Sequence, residues 1–165
     1  GTFAVQIAKA YGAEVTGVSS TRNVELVRSI GADHAIDYKL TDFTQGTERY
    51  DVIIDNVGNH SLLALRRVLE PEGVVVMIGG SGNDQWIGPL LRPVGAAVLS
   101  PFVSQRFAGL LAELNPDDLR VLGEFLAAGK MESVIDRQYP LAEVPAAIAY
   151  LEEGRARGKV VINVP

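Results

Sequence analysis

"GTFAVQIAKAYGAEVTGVSSTRN", residues 1–23, decides the fold of this chain. The apolar spacing of residues 2–11 predicts a buried helix, and Gly12 ends it. Residues 14–18 predict a strand, which is followed directly by the hydroxyl-rich segment 19–23. This order is typical of a dinucleotide-binding βαβ unit after its last glycine, here Gly1. We therefore expect the first strand and the earlier glycines of such a unit to be absent from this sequence.

The same alternation of strands and helices continues toward residue 80. Strands are predicted at 34–38, 50–55 and 73–79, and helices are predicted near 23–30 and 61–69. The strands rich in valine and isoleucine do not alternate with polar residues, which is typical of strands covered on both faces. The pattern predicts an α/β fold with a doubly wound parallel sheet, of the Rossmann type, that lacks its first strand.

The second half of the chain has a different rhythm. A segment rich in glycine and proline precedes a sixth strand predicted at 96–104, where Pro101 favours an edge position. Asn115 and Pro116 predict the start of a helix that ends near Gly129. A strand at 133–139, a helix at 142–153 and a strand at 159–164 follow. We predict a dinucleotide-binding domain over 1–130, incomplete at its amino end, and a separate segment over 131–165 that requires a partner surface.

Composition excludes several classes of function. The chain has 165 residues with 47% hydrophobic and 21% charged residues, a net charge of -5 and no long basic run, so we expect no nucleic-acid partner. It contains no cysteine and two histidines, which argues against a metal site built within the chain. No apolar run approaches the roughly 20 residues that a membrane span needs, so we expect no membrane partner. Cytoplasmic localisation is the default expectation.

The end of the strand at 14–18 carries the clearest chemical signal. In dinucleotide folds this position faces the adenosine ribose, and a carboxylate there favours NAD. Here Ser19, Ser20 and Arg22 follow the strand, and no acid lies between the end of the strand and Glu25. Hydroxyls with a guanidinium suit a 2′-phosphate, which favours NADPH over NADH. The alternative is that this segment only caps the following helix, and both roles can coexist.

Further candidates follow the other strands, at the sheet edge where open α/β sheets bind ligands. An aromatic ring at position 38 could lie against the adenine or serve as an ordinary core or turn residue. The turns after the fourth and fifth strands could contact the cofactor or simply connect a strand to a helix. These candidates are Tyr38, Asn56, Val57, Gly58, Gly79 and Gly80.

Five motifs in order resemble the medium-chain dehydrogenase/reductase superfamily. They are residues 1–23, "GADHAIDY", "YDVIIDNVGN", "VVVMIGG" and "ARGKVVINV". The chain is most similar to the zinc-independent quinone oxidoreductase and NADP-dependent alcohol dehydrogenase branch, from Gly1 to Val164. The resemblance implies an amino-terminal catalytic domain outside this sequence, with the active site between the two domains. It also implies that residues 131–165 complete that catalytic domain.

The resemblance assigns roles to individual residues. Gly1 would be the last glycine of the pyrophosphate loop, and Lys159 would contact a cofactor phosphate. Ser19, Ser20 and Arg22 would bind the 2′-phosphate, and Tyr38 the adenine. Val57 and Gly58 would lie near the ribose and nicotinamide, and the backbone of Phe102, Val103 and Ser104 would bind the carboxamide. Zinc ligands, where relatives have them, come from the catalytic domain, so this sequence leaves zinc dependence open.

These inferences predict the cofactor-binding portion of an NADPH-dependent oxidoreductase. The parent would transfer a hydride to or from a small molecule that is a carbonyl, alcohol, enone or quinone, with the hydride supplied by the cofactor. We expect no catalytic residue within the chain, and no activity of residues 1–165 alone. The resemblance also implies a homodimer formed through the sixth strand. The alternative is a non-catalytic, truncated module for nucleotide binding or dimerisation.

Overall fold

The computed structural model describes residues 1–78, 104–109 and 115–165. The helices are α1 (Thr2–Ala10), α2 (Val24–Ser29), α3 (Leu62–Arg67), α4 (Pro116–Ala127) and α5 (Val144–Glu152). The strands are β1 (Thr16–Ser19), β2 (His34–Asp37), β3 (Tyr50–Asp55), β4 (Leu69–Met77), β5 (Arg106–Gly109), β6 (Ile135–Pro140) and β7 (Lys159–Asn163). Single-turn 3₁₀ helices lie at Thr21–Asn23, Phe43–Gln45 and Leu141–Glu143. None of the helices in these ranges is long and apolar enough to cross a membrane.

Every strand pair in the described residues is parallel. β1 pairs with β2, β4 lies between β3 and β5, and β6 pairs with β7. Parallel neighbours require crossover connections, and the helices between successive strands supply several of them. The predicted parallel α/β class is therefore confirmed.

The chain divides into two compact units. Unit 1 combines Gly1–Lys39 with Asn115–Pro165, and unit 2 is Leu40–Leu114. The predicted boundary after residue 130 concerns a catalytic domain outside this chain, and it stays a prediction.

Unit 1 is held together by contacts between its two segments of sequence. The side-chain amide of Gln6, which is 5% exposed, donates to the carbonyl of Glu132 at 3.0 Å. The backbone N–H of Glu132 donates back to Gln6 Oε1 at 2.7 Å. Satisfying both halves of a buried amide is what makes its burial tolerable, so Gln6 joins α1 to the segment before β6.

The core of unit 2 is formed by side chains of α3 and β4. Leu65, Leu69, Val75 and Met77 are buried together, with Phe43, Ile53, Leu62 and Phe107 packed against them. β4 begins at Leu69 rather than at the predicted residue 73, because an irregularity in its pairing with β3 lets it continue across Gly73. A Cβ on Gly73 would lie 3.0 Å from the Tyr50 carbonyl oxygen, a tight contact that glycine avoids.

The other predicted elements in the described ranges agree with the structure to within about two residues at each end. The start of α4 is also as predicted, since Asn115 accepts from the Asp117 N–H at 2.9 Å and Pro116 is its first residue. The sixth strand predicted at 96–104 lies outside the described residues except for Ser104, which is in a bend. The sequence pattern does not predict β5, which begins shortly after that bend.

Candidate cofactor-binding site

The carboxyl ends of β1 and β2 bring several predicted site residues together. Ser19 ends β1 and pairs with Asp37, the last residue of β2. The backbone N–H of Tyr38 donates to the Ser19 carbonyl at 3.0 Å. The Tyr38 side chain is 52% exposed, so it is a surface aromatic and not a core residue. Its predicted contact with adenine stays a prediction.

The segment after β1 forms a tight turn before α2. The N–H of Asn23 donates to the Ser20 carbonyl at 2.8 Å, and its side-chain amide reaches Ser20 Oγ at 3.4 Å. Asn23 occupies the cap position of α2, but its side chain makes no capping hydrogen bond there. The alternative interpretation was that this segment only caps the following helix. The Asn23 side chain does not cap α2 in the structure.

Arg22 lies within this turn, with its side chain directed toward the carboxyl-terminal part of unit 1. Its Nη2 donates to the Arg155 carbonyl oxygen. A guanidinium carries five N–H donors in a fixed plane, so this one contact leaves further donors for an anion.

Two residues of this region were not found from sequence. Arg157 donates from Nε to Asn23 Oδ1 at 3.0 Å and from Nη2 to the Arg22 carbonyl at 3.1 Å. Its only sequence signal is membership of the "ARGK" segment, which says nothing about contact with a turn so distant in the chain.

Asp37 is the second such residue. Its carboxylate accepts from the Thr21 side chain and from the Lys39 N–H, the latter at 2.9 Å, and these bonds hold the pKa of Asp37 below its usual value. The sequence shows no acid between the end of the first predicted strand and Glu25, but the parallel register places the Asp37 carboxylate beside Ser19. A negative charge therefore lies near the candidate 2′-phosphate position, which tempers the electrostatic case for NADPH.

A second cluster lies at the start of α1. Lys159 Nζ lies 4.9 Å from the centre of the Phe3 ring. Phe3 lies in the first turn of α1, so the Lys159 ammonium lies close to the start of that helix. The first backbone N–H groups of a helix lack partners within it and favour anions. With the Lys159 ammonium, this donor set fits a pyrophosphate.

The position of Lys159 is fixed by its neighbour. A Cβ on Gly158 would lie 2.3 Å from the carbonyl oxygen of Val134, so only glycine allows this approach. The N–H of Lys159 donates to that same oxygen at 2.7 Å. The two residues together set where β7 begins.

Within unit 2, three candidate residues lie in the turn after β3. Asp55 Oδ1 accepts from the backbone N–H groups of Val57 and Gly58, at 3.3 and 2.8 Å. Gly58 has a φ of 75°, which favours glycine, and the Val57 side chain is 61% exposed. Asn56, Val57 and Gly58 therefore form an ordered turn at the carboxyl end of β3.

The remaining predicted residues are placed differently. Ser104 precedes β5 and donates from its hydroxyl to the Pro71 carbonyl, so it lies at the opposite edge of the sheet from the turn after β3. Gly79, Gly80, Phe102 and Val103 lie outside the described residues. The roles proposed for all five stay predictions.

A cavity of about 600 Å³ lies at the Ser104 edge of unit 2. Arg49, Arg66 and Arg67 are among the residues that line it. This is the amino-terminal edge of the strands, whereas open parallel sheets bind ligands beyond the carboxyl ends. The cavity is therefore separate from the candidate turn after β3, although Ser104, another candidate residue, lines it.

Comparison with known proteins identifies the family. The sequence model of the zinc-binding dehydrogenases matches residues 30–162. The chain belongs to this family. It is 36% identical over 180 residues to a mitochondrial NAD(P)H oxidoreductase, RTN4IP1 of Bos taurus, covering 99% of this chain and 45% of the relative. It is 33% identical over 166 residues to a chloroplastic NADPH-dependent alkenal/one oxidoreductase of Arabidopsis thaliana, covering 98% and 37%.

Solved structures agree with this family assignment. A quinone oxidoreductase from Coxiella burnetii superposes with a TM-score of 0.79 at 28% identity, over 98% of this chain and 48% of that one. The chain thus spans about half the length of the relatives it matches, or less. The sequence-based assignment to this group of dehydrogenases and reductases is confirmed.

Because the family is named for zinc binding, we asked whether the described residues could hold a zinc ion. Within the ranges that the structure describes, no three His, Cys, Asp or Glu side chains are grouped so that they could hold a metal ion. The whole chain contains no cysteine, the ligand most typical of structural zinc sites. The described residues therefore do not fit a zinc ion.

Proposed function

We propose that this chain is the cofactor-binding portion of an NADPH-dependent oxidoreductase that moves a hydride to or from a carbonyl, alcohol, enone or quinone. The observation that carries the proposal is the grouping of Ser19, Ser20, Arg22 and Tyr38 at the ends of two parallel strands. The names of the Arabidopsis and Coxiella relatives, an NADPH-dependent alkenal/one oxidoreductase and a quinone oxidoreductase, support the cofactor and substrate classes.

The residues of this chain would bind and orient the cofactor, whose nicotinamide supplies or accepts the hydride. Lys159 and the first N–H groups of α1 would offset the charge of the pyrophosphate. Arg22 and the hydroxyls of Ser19 and Ser20 would bind the 2′-phosphate. We assign no described residue a role in proton transfer to the substrate.

Replacing Arg22 tests the cofactor preference in the full-length protein. A hydrogen bond to a charged group contributes about 1.5–3 kcal/mol, so Arg22→Ala should raise the KM for NADPH about ten- to a hundredfold. The KM for NADH should stay nearly constant. Arg28→Ala is the matched control, because it removes an exposed arginine of α2 that pairs with Glu25. An equal loss with both cofactors would contradict the assignment to the 2′-phosphate.

Activity assays distinguish this enzyme from a non-catalytic nucleotide-binding or dimerisation module. Oxidation of NADPH by the full-length protein with an enone or quinone supports the enzyme. Tight NADPH binding with no turnover of any of the four substrate classes would favour the module, since no described residue is assigned a catalytic role.

We propose a homodimer formed through the segment 96–104 and a cytoplasmic location, with neither nucleic acid nor membrane as a partner. The net charge of -5 supports the exclusion of nucleic acid. Two relatives are mitochondrial and chloroplastic by name, so cell fractionation should include the organelles. Sedimentation of the full-length protein tests the dimer.

A further inference from the structure

Arg157, in the segment between α5 and β7, contacts the turn at Ser20–Asn23 that is the candidate 2′-phosphate site. Its Nε and Nη2 atoms donate to Asn23 Oδ1 and to the Arg22 carbonyl oxygen, at 3.0 and 3.1 Å. One planar group therefore engages both a side chain and the main chain of the same turn. Two donors fixed in a plane constrain the orientation of their acceptors more than a single ammonium could.

The contact is reciprocal. While Arg157 donates to the Arg22 carbonyl, the Arg22 side chain donates to the Arg155 carbonyl. The two segments thus exchange guanidinium-to-carbonyl hydrogen bonds in opposite directions. This exchange fixes the main chain of Arg22 and restricts its side chain at the same time.

The backbone of Arg157 is itself held in place. Its N–H donates to Asp136 Oδ2 at 3.0 Å, and the Tyr150 hydroxyl donates to the same oxygen at 2.6 Å. These bonds, led by that of Tyr150, keep the pKa of Asp136 below its usual value, so the carboxylate is charged at neutral pH. Asp136 lies on β6 and Tyr150 on α5, so two elements anchor the residue that contacts the turn.

We propose that Arg157 is a positioning residue for cofactor selection: it holds the turn at Arg22 in the conformation that binds the 2′-phosphate. This inference rests on the proposed NADPH function. It makes cofactor preference depend on the segment between α5 and β7, which contributes no strand to the β1–β2 pair. The expected effect is on ligands that carry a 2′-phosphate, and not on nucleotide binding in general.

The test measures dissociation constants of the full-length protein for 2′,5′-ADP and 5′-AMP, which differ by the 2′-phosphate. Arg157→Ala and Arg157→Lys should both weaken 2′,5′-ADP binding roughly tenfold, as for one charge-assisted hydrogen bond, and change 5′-AMP binding less than twofold. Lysine keeps the charge but cannot make both planar contacts. Arg120→Ala is the control, because it removes an exposed arginine of α4 that pairs with Glu124, and should have no effect.

A double-mutant cycle separates positioning from direct binding. If Arg157 acts through Arg22, the variant carrying both Arg157→Ala and Arg22→Ala should bind 2′,5′-ADP no more weakly than Arg22→Ala alone. Asn23→Ala removes the side-chain acceptor of the Arg157 Nε hydrogen bond. It should weaken 2′,5′-ADP binding less than Arg157→Ala does, and the two losses should not be additive. It also provides a second variant should Arg157→Ala fold poorly.

Three results would overturn the inference while leaving the proposed function intact. They are full affinity in Arg157→Lys, additive losses in the double variant, and equal losses for both nucleotides. A wild-type protein that binds 2′,5′-ADP no better than 5′-AMP would instead overturn the NADPH proposal, and this inference with it.

Discussion

Substitution of Gly158 by alanine should destabilise the protein more than a glycine substitution normally does. The added Cβ would lie 2.3 Å from the carbonyl oxygen of Val134 and 2.9 Å from its carbonyl carbon. Relieving this overlap requires the backbone to move, and the 2.7 Å hydrogen bond from the Lys159 N–H to the same oxygen would lengthen or break. Overpacking costs about 1–3 kcal/mol and a lost hydrogen bond about 0.5–1.5 kcal/mol, so the expected total is about 1.5–4.5 kcal/mol.

Urea denaturation of the full-length protein measures this loss, with Gly123→Ala as the matched control. Gly123 lies within α4, and a Cβ there would have no neighbour within 4 Å. Alanine at that position should therefore stabilise the helix, by about 0.5–1 kcal/mol. Gly158→Ala should also weaken NADPH binding, because Lys159 follows directly. If Gly158→Ala left the unfolding free energy within about 0.5 kcal/mol of the wild type, the reasoning from close contact would be refuted.

Two further predictions concern the carboxylates of unit 1. Asp37→Asn keeps an oxygen for its hydrogen bonds but removes the negative charge beside Ser19. The KM for NADPH should therefore fall roughly two- to fivefold, while the KM for NADH does not fall. An unchanged KM for NADPH would show that the Asp37 charge does not affect binding of the 2′-phosphate. Asp136 has a lowered pKa in the folded protein, so its contribution to stability is present above the unfolded pKa of about 3.9 and is lost as the pH falls through the folded pKa. Asp136→Asn should lower the urea midpoint at pH 7 and make stability less dependent on pH below about 4, and parallel acid limbs in the two proteins would contradict this.

Local patterns explain which elements could be predicted from the sequence. The strand at Tyr50–Asp55 was predicted with its observed bounds, because its apolar run is bounded by polar residues. The cap at Asn115 was predicted because capping depends on neighbouring residues only. β4 was predicted to start too late, since nothing local indicates that a strand can continue across Pro71 and Gly73.

The candidate site also shows that local sequence patterns do not reveal contacts between distant residues. Ser19, Ser20 and Arg22 could be identified because they follow a recognisable strand. Asp37 escaped notice because its proximity to Ser19 depends on strand register, and Arg157 because its contact with Arg22 spans 135 positions of sequence. Contacts of this kind follow from tertiary structure, and neither composition nor periodicity encodes them.

The paired hydrogen bonds of Gln6 with Glu132 have a consequence for biosynthesis. Unit 1 takes its residues from two stretches separated by the roughly 75 residues of unit 2. At about 5–20 residues per second, translation of unit 2 delays completion of unit 1 by roughly 4–15 seconds. During that interval the amide of Gln6 has no partner at Glu132, because residue 132 has not yet been synthesised. Unit 2 is continuous in sequence, so all of its residues are synthesised before the second stretch of unit 1.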